Sequence, residues 1–319
     1  EENKVNQLKQ LMNDNAQQQK ILLQEHLSNV SSKILSSSFR FNLTPDASRD
    51  PQKPLYSIGA TAEEFFAMQV LCRNVKKLFK ITMSSRHEIL SQLKMLLRED
   101  KSRYYIIRTD VCHCFESIPH DKLFEYLEGN NLLDVKSKSL LRGLIRNEFE
   151  TKNLRPLIST KKTGIPRGCA ISSLLSEFYL SKIDELLRHT LPGIVFLARY
   201  VDDIIIVVHP DLDDEHWWSL DDYVKVLTDV YIRHGLTIHT PTDGTDKCYT
   251  YDSKDTKGLK FDLLGYTIQS IKGDNDKQGF FSLSKKKKQK IQNRITKTFQ
   301  EFDSLLNTMS YDIAAHYLF

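Results

Sequence analysis

Three aspartates have the type and spacing to do chemistry. Asp202 and Asp203 stand side by side in "ARYVDDIIIVV" (198–208), between apolar, β-branched flanks that read as the two strands of a hairpin. Asp110 ends a third strand-like run, "RYYIIRTD" (103–110). Burying a carboxylate is costly unless something compensates it, and two adjacent ones also repel each other. Arg199 can offset one of these charges but cannot chelate both. A divalent cation can. Mg²⁺ takes one or two carboxylates and fills its shell with substrate phosphate oxygens. Two such ions ~3.5–4 Å apart clamp the attacking and leaving oxygens of a phosphoryl transfer. The plainer alternative for Asp202-Asp203 alone is a polar turn, which aspartate also favours. Asp110 at a strand end, with a Gly-Ile-Pro-Arg-Gly loop (164–168) between strand and hairpin, favours metal-assisted chemistry.

Such residues need a sheet to carry them and helices to cover it. Residues 3–36 bear Val5, Leu8, Met12, Ile21, Leu22, Leu27, Val30 and Ile34 at near-helical spacing. Gln and Asn dilute the stripe, which predicts a helix that docks on a partner or on the main body. Residues 36–54 read as loop or linker. Helices are predicted over 61–80 and 85–98, a strand over 103–111, and helices over about 120–127 and 135–148. After the Gly-bracketed loop, Ile171, Leu174, Leu175, Phe178, Ile183, Leu186 and Leu187 define the buried face of another helix, with Ser172 as a candidate N-cap. A helix is expected over 221–234, short strands and Asp/Gly/Lys turns over 236–284, and a basic helical pattern from Leu283 onward. The mixture predicts an α+β fold whose largely antiparallel sheet is covered by helices.

The chain has 319 residues, 40% hydrophobic and 27% charged, which sets the class as globular and allows one large domain or two to three ordinary ones. It contains no run of ~18 apolar residues and no apolar signal region near its start, which predicts a cytoplasmic protein without a membrane partner. It begins at Glu1 and stops at Phe319 inside a helical pattern, and so reads as a piece of something longer. Five cysteines without C-x-x-C spacing read as reduced thiols. Cys112, His113 and Cys114 lack the second ligand pair that a zinc site needs. The net charge of +4 says little about partners. Its distribution says more: Lys76, Lys77 and Lys80 form one basic cluster, Lys161 and Lys162 another, Lys285 to Lys288 a third, and acid collects over 211–222. Trp217 and Trp218 fall inside that acidic run and read as a packing or partner site. His113 and His120 read as structural or surface residues.

Taken together, these motifs resemble the reverse transcriptases. "YVDD" (200–203) resembles the family's Tyr-x-Asp-Asp hairpin, and "DVCHCF" (110–115) its first catalytic motif, an Asp followed five residues later by an aromatic. "GIPRGCAISSLLSEFYL" (164–180) is similar to the Gly-x-Pro-Gln-Gly loop and its helix, with Arg167 in place of the usual Gln. "LLGY" (263–266) resembles the primer-grip hairpin. The likeness covers roughly residues 55 to 300. Within the family, "GIPRG", "AISS" and "SRHEIL" look most like the bacterial abortive-infection and defence-associated group, and less like group II intron enzymes or retrons.

The resemblance implies a right-hand polymerase: an N-terminal helix and linker (1–54), fingers (55–109), a palm (110–270) interrupted by a further fingers segment at about 120–162, and the start of a helical thumb (271–319). It implies two Mg²⁺ ions, with Mn²⁺ as a substitute, on Asp110, Asp202, Asp203 and the Val111 carbonyl. It implies that these aspartates direct attack of a 3′-oxygen on the α-phosphate of a dNTP. Phe115 matches the residue that excludes a 2′-hydroxyl. Gly164, Arg167 and Gly168 match the loop at the nucleotide and template. Arg86 lies where the fingers carry a cation near the triphosphate, and Lys247 where a lysine protonates the leaving pyrophosphate. Tyr200, Gly265, Tyr266, Lys285 and Lys286 match primer and template contacts. The partners implied are an RNA template, a DNA product and dNTPs, with a second copy or a partner protein on the N-terminal helix. The same site admits untemplated or protein-primed synthesis, for which Tyr311 and Tyr317 are candidate primers. A two-metal nucleotide cyclase-like signalling enzyme and a non-enzymatic nucleic-acid scaffold are the other classes to weigh.

Overall fold

The computed structural model describes residues 2–46, 54–99, 102–129, 132–146, 162–210, 218–255, 258–269 and 280–318. Lys161 and residues 211–217, which include Trp217 and the first part of the acidic run, lie outside them. In chain order the elements are α1 (Glu2–Leu35), β1 (Leu43–Asp46), β2 (Leu55–Ile58), α2 (Ala62–Leu78), α3 (Arg86–Glu99), β3 (Tyr105–Asp110), α4 (Cys114–Ser117), α5 (His120–Glu128), α6 (Val135–Arg146), α7 (Ala170–Thr190), β4 (Ile194–Tyr200), β5 (Asp203–Val208), α8 (Leu220–Arg233), β6 (Tyr249–Asp252), β7 (Lys260–Leu263), β8 (Tyr266–Gln269), β9 (Phe280–Leu283), α9 (Lys285–Leu306) and α10 (Tyr311–Leu318). They fall into two compact units.

One unit comprises Glu1–Met83, Cys112–Leu186 and Val230–Thr237. Its helix α2 starts at a capping box in which Thr61 and Glu64 satisfy each other's backbone N–H groups. The C-terminal end of α1 packs on the unit, with Val30 buried and Lys33 Nζ 2.7 Å from Glu63 Oε1. Leu11, Met12, Ile21, Leu22 and Leu23 farther up α1 stay exposed. The expected linker over 36–54 is in part a strand. β1 and β2 pair antiparallel, Leu43 opposite Ile58 and Asp46 opposite Leu55. Pro45 and Asp46 are poor strand formers, which is why the local sequence signal was for a loop. Here Leu43 is buried, the Thr44 and Ser57 hydroxyls share a 2.8 Å hydrogen bond, and Tyr56 N–H donates to Arg167 O (2.6 Å).

The other unit comprises Ser84–Val111, Leu187–Asp229 and Ile238–Phe319. Its centre is an antiparallel sheet ordered β4-β5-β3-β6. β3 lies between β5 and β6, with Ile106 opposite both Val207 and Tyr251. Alternation then puts Ile106, Ile205, Val207 and Tyr251 on one face. That face packs against Ile89, Leu93 and Leu97 of α3 and against Phe261, Leu263 and Ile268 of the β7–β8 hairpin. On the opposite face Tyr105 meets Tyr223 of α8 edge-on, and Trp218 packs on the same tyrosine. β3 is therefore a central strand of the same sheet as the β4–β5 hairpin.

β7, β8 and β9 form a second antiparallel sheet. Leu264 and Gly265 turn β7 into β8 with φ of 50° and 88°, the double positive φ that two-residue hairpins favour. Ser284 then caps α9, whose described side chains are all outside the core. The helical pattern after Leu283 breaks at 307–310 before α10 begins.

Candidate active site

The sheet face that is apolar under α3 becomes polar at its other end. Asp110, two pleats beyond Ile106 and one beyond Arg108, ends β3 directly opposite Asp203. Asp203 is in turn opposite Tyr200 across the β4–β5 hairpin. Val111 N–H donates to the Asp202 carbonyl (3.1 Å), which ties the end of β3 to the hairpin turn. Val201 makes that turn at φ 59°. For a β-branched residue this conformation is an outlier and stores strain of order 1–3 kcal/mol. Arg199, buried beneath, donates to the Val201 carbonyl (3.0 Å) and helps to hold the turn. Register alone thus brings Asp110, Val111, Asp202 and Asp203 together from segments about ninety positions apart.

Two cations meet these carboxylates. Arg108 Nη2 lies 3.2 Å from Asp203 Oδ1, and Lys247 Nζ 3.2 Å from Asp110 Oδ2. Arg108 also donates to the Lys247 and Asp246 carbonyls (2.9 and 3.3 Å), so it ties the 240–248 loop to the hairpin. Burial pushes the Asp203 carboxyl above its ordinary range. Arg108 opposes that shift, and the charges of Asp202 and Asp110 add to it. Asp110 Oδ1 is buried and has no hydrogen-bond partner. The motif spacing led us to expect three acids clustered and ready to chelate. Among the described residues no group of three His, Cys, Asp or Glu side chains is spaced to hold a metal ion by itself. Arg108 and Lys247 each pair with one of these carboxylates instead. The donor set still fits a hard cation that completes its shell with substrate phosphates: carboxylates from Asp110, Asp202 and Asp203, the Val111 carbonyl, and an orphaned buried oxygen on Asp110.

Arg86 opens α3 with its guanidinium carbon 4.5 Å from the centre of the Tyr200 ring, so two expected ligand contacts stack on each other at the hairpin. Gly265 supports the start of α9: Ser284 N–H donates to its carbonyl (3.0 Å), and a Cβ there would sit 3.6 Å from Lys287 Cδ. Tyr266, Lys285 and Lys286 are exposed beside it.

In the other unit, the Gly-Ile-Pro-Arg-Gly loop is bonded to the turn that carries Phe115. Ile165 N–H donates to Phe115 O and Gly164 N–H to Ile118 O, each at 2.8 Å. His120, buried, shares a 2.6 Å hydrogen bond with Gly164 O. These glycines pack against the protein's own backbone. Both have positive φ, and a Cβ would lie 3.1 Å from Glu116 O at Gly164 and 2.9 Å from Tyr56 O at Gly168. Arg167 lies 3.7 Å from Glu116, a weak pair because both side chains are more than a third exposed.

Residues that sequence analysis missed are Arg108, His239 and Asp243. Arg108 had a readable signal, since residues i and i+2 of a strand share a face. His239 reaches the site through the fold: its N–H donates to Asp110 O (3.1 Å), and its carbonyl accepts from Thr109 Oγ1 (2.7 Å).

Residues 60–268 match the family described as reverse transcriptase (RNA-dependent DNA polymerase), more than half of the chain. The chain belongs to the reverse transcriptase family. It is 26% identical over 183 residues to the "Uncharacterized 91 kDa protein in cob intron" of Schizosaccharomyces pombe, which covers 50% of this chain and 21% of that protein. It is 32% identical over 85 residues to the "Putative COX1/OXI3 intron 2 protein" of Saccharomyces cerevisiae, covering 27% of this chain and 10% of that one. The chain therefore spans about a fifth and a tenth of these relatives' lengths. Both relatives are described as intron proteins, whereas the motifs were expected to place the chain nearer the defence-associated group. Among solved structures, apo telomerase from Candida tropicalis superposes with a TM-score of 0.50 at 12% identity, over 78% of this chain and 50% of that one. This shows a shared right-hand polymerase fold. Among the described residues no helix is long and apolar enough to cross a membrane.

Proposed function

We propose that this reverse transcriptase chain carries an RNA-directed DNA polymerase site and transfers deoxynucleotides from dNTPs to a DNA 3′ end. The observation that carries the proposal is the β3–β5 register, which sets Asp110 across from Asp203 at the mouth of the hairpin. Asp110, Asp202, Asp203 and the Val111 carbonyl would hold divalent ions, Mg²⁺ by the chemistry of the oxygen donors, which when bound activate the attacking oxygen and neutralise charge on the phosphates. The chain's own groups orient and compensate. Arg108 holds Asp203 in place, Lys247 presents a positive charge at Asp110, and Arg86 with Tyr200 forms one wall of the hairpin. Phe115 would exclude ribonucleotides, and the lysines that open α9 would ride on phosphates, with binding that weakens steeply in salt. On this proposal β3 and the hairpin sheet form the palm, and α9 starts a thumb.

The test is incorporation of labelled dNTPs on an RNA template with a DNA primer, with and without Mg²⁺. Mg²⁺-dependent extension is expected, and its absence over a range of templates would overturn the proposal. Phe115→Ala should raise incorporation of rNTPs relative to dNTPs. An unchanged ratio removes Phe115 from the sugar contact.

One observation favours untemplated or protein-primed synthesis by the same site: Arg167, at the usual glutamine position, is paired with Glu116. DNA that stays attached to protein on a denaturing gel would decide for priming by a side-chain hydroxyl. The resemblance of "GIPRG", "AISS" and "SRHEIL" to the defence-associated group supports a role in antiphage defence in the bacterial cytoplasm. Loss of phage protection in an Asp202→Asn strain is the measurement that checks it.

A further inference from the structure

The loop that delivers Lys247 contains a hydrogen-bond chain that the polymerase proposal does not use. Asp243 Oδ2 lies 2.6 Å from His239 Nδ1, and His239 Nε2 lies 3.3 Å from Lys247 Nζ. Lys247 Nζ also donates to Asp110 Oδ2. A carboxylate only accepts and an ammonium only donates, so the direction of each bond follows. Nδ1 carries the proton and donates to Asp243, and Nε2 offers its lone pair to Lys247. Asp243 is itself fixed. It accepts from Thr245 Oγ1 (2.8 Å), Thr245 N–H (3.0 Å) and Thr240 N–H (3.2 Å), around a turn at Gly244 with φ 72°. The Thr245 hydroxyl is the main group that holds the Asp243 carboxyl well below the ordinary range, so Asp243 remains an acceptor. His239 is anchored through its backbone to Thr109 and Asp110 on β3.

We propose that His239, oriented by Asp243, is a positioning residue that fixes the Lys247 ammonium at the Asp110 carboxylate. Lys247 is 56% exposed. A long exposed lysine loses much rotamer freedom when it is held in one place, and a single exposed ion pair contributes little. The imidazole supplies a second bond to the ammonium that Asp110 also holds. The backbone at 246–247 supplies a third restraint through Arg108. The inference rests on Lys247 acting at the nucleotidyl-transfer site.

The experiment is single-turnover dNTP incorporation by the full chain, with the maximal rate and the dNTP affinity measured separately. The variants are Lys247→Ala, His239→Ala, the double variant, His239→Asn and His239→Gln. The Gln amide oxygen reaches toward the Nε2 position, and the shorter Asn does not. Loss of Lys247 is expected to slow the maximal rate roughly 10²-fold. His239→Ala and His239→Asn should each show part of that loss with dNTP affinity unchanged, and Gln should restore much of it. The double variant should be no slower than Lys247→Ala. A double variant slower by the product of the two single effects, or His239→Asn at the wild-type rate, overturns the inference and leaves the polymerase proposal standing. Lys247→Ala at the wild-type rate removes Lys247 from the site, and the inference with it. No incorporation by the wild type fails the polymerase proposal itself. A second readout needs no turnover. In ¹³C-dimethylated protein the Lys247 signal, assigned by its loss in Lys247→Arg, should move in His239→Asn and stay in His239→Gln. A signal that does not move in His239→Asn also overturns the inference.

Discussion

One face of the β4-β5-β3-β6 sheet has two ends with the same pleat and opposite chemistry. At one end Ile106, Val207 and Tyr251 pack under α3 and the β7–β8 hairpin. At the other, Asp110 and Asp203 face each other, with Arg108 beside them on the same strand face. The apolar end is stabilised by burial itself. The polar end holds like charges in a partly buried place, which is unfavourable for the fold and persists because Arg108, Lys247 and the hairpin register compensate it. The strands act as a rigid ruler. The apolar end fixes the register, and the register sets the distance between the carboxylates.

The largest effect should come from the polar end. Asp110→Asn, which keeps the side chain's shape, should abolish Mg²⁺-dependent incorporation, a loss of at least about 10³-fold, with an unchanged circular dichroism spectrum. Wild-type incorporation in this variant would reduce the polar end to an ordinary charged turn. At the apolar end, Ile106→Ala should cost roughly 2–5 kcal/mol of stability in denaturant unfolding, while incorporation per folded molecule is retained. If activity falls in proportion to stability instead, the two ends are not separable.

The smallest effect is a stability difference that depends on pH. The folded Asp203 carboxyl binds its proton more tightly than in the unfolded chain, chiefly because it is buried. The folded state therefore holds more protons between the ordinary carboxylate range and the raised folded value, and stability is lost as pH rises through that window. Asp203→Asn removes the penalty. Its melting temperature should exceed the wild type's slightly at neutral pH, and the difference should vanish below the ordinary carboxylate range. A gain that persists in acid would assign the effect to packing rather than to charge.

Much of this fold was legible from periodicity. The α2, α3, α5, α7 and α8 helices and the β3, β4 and β5 strands fall where apolar spacing puts them, within a few residues. The β1 strand did not, because Pro45 and Asp46 read as a loop and the strand exists through its partners, Ser57 and Tyr56. At the candidate site the acids and Lys247 were visible as residue types in a motif order. Arg108 was within reach of the alternation rule. His239 and Asp243 were not, since nothing near them in the chain marks a partner.

Local neighbours one to four residues apart set which strands end in aspartate, where the hairpin turns and which face of each strand is apolar. Which charges meet follows only from the assembled fold. Lys247 reaches Asp110 across 137 positions and Arg108 reaches Asp203 across 95. Contacts at that separation depend on register and loop closure. Local propensity carries no information about either.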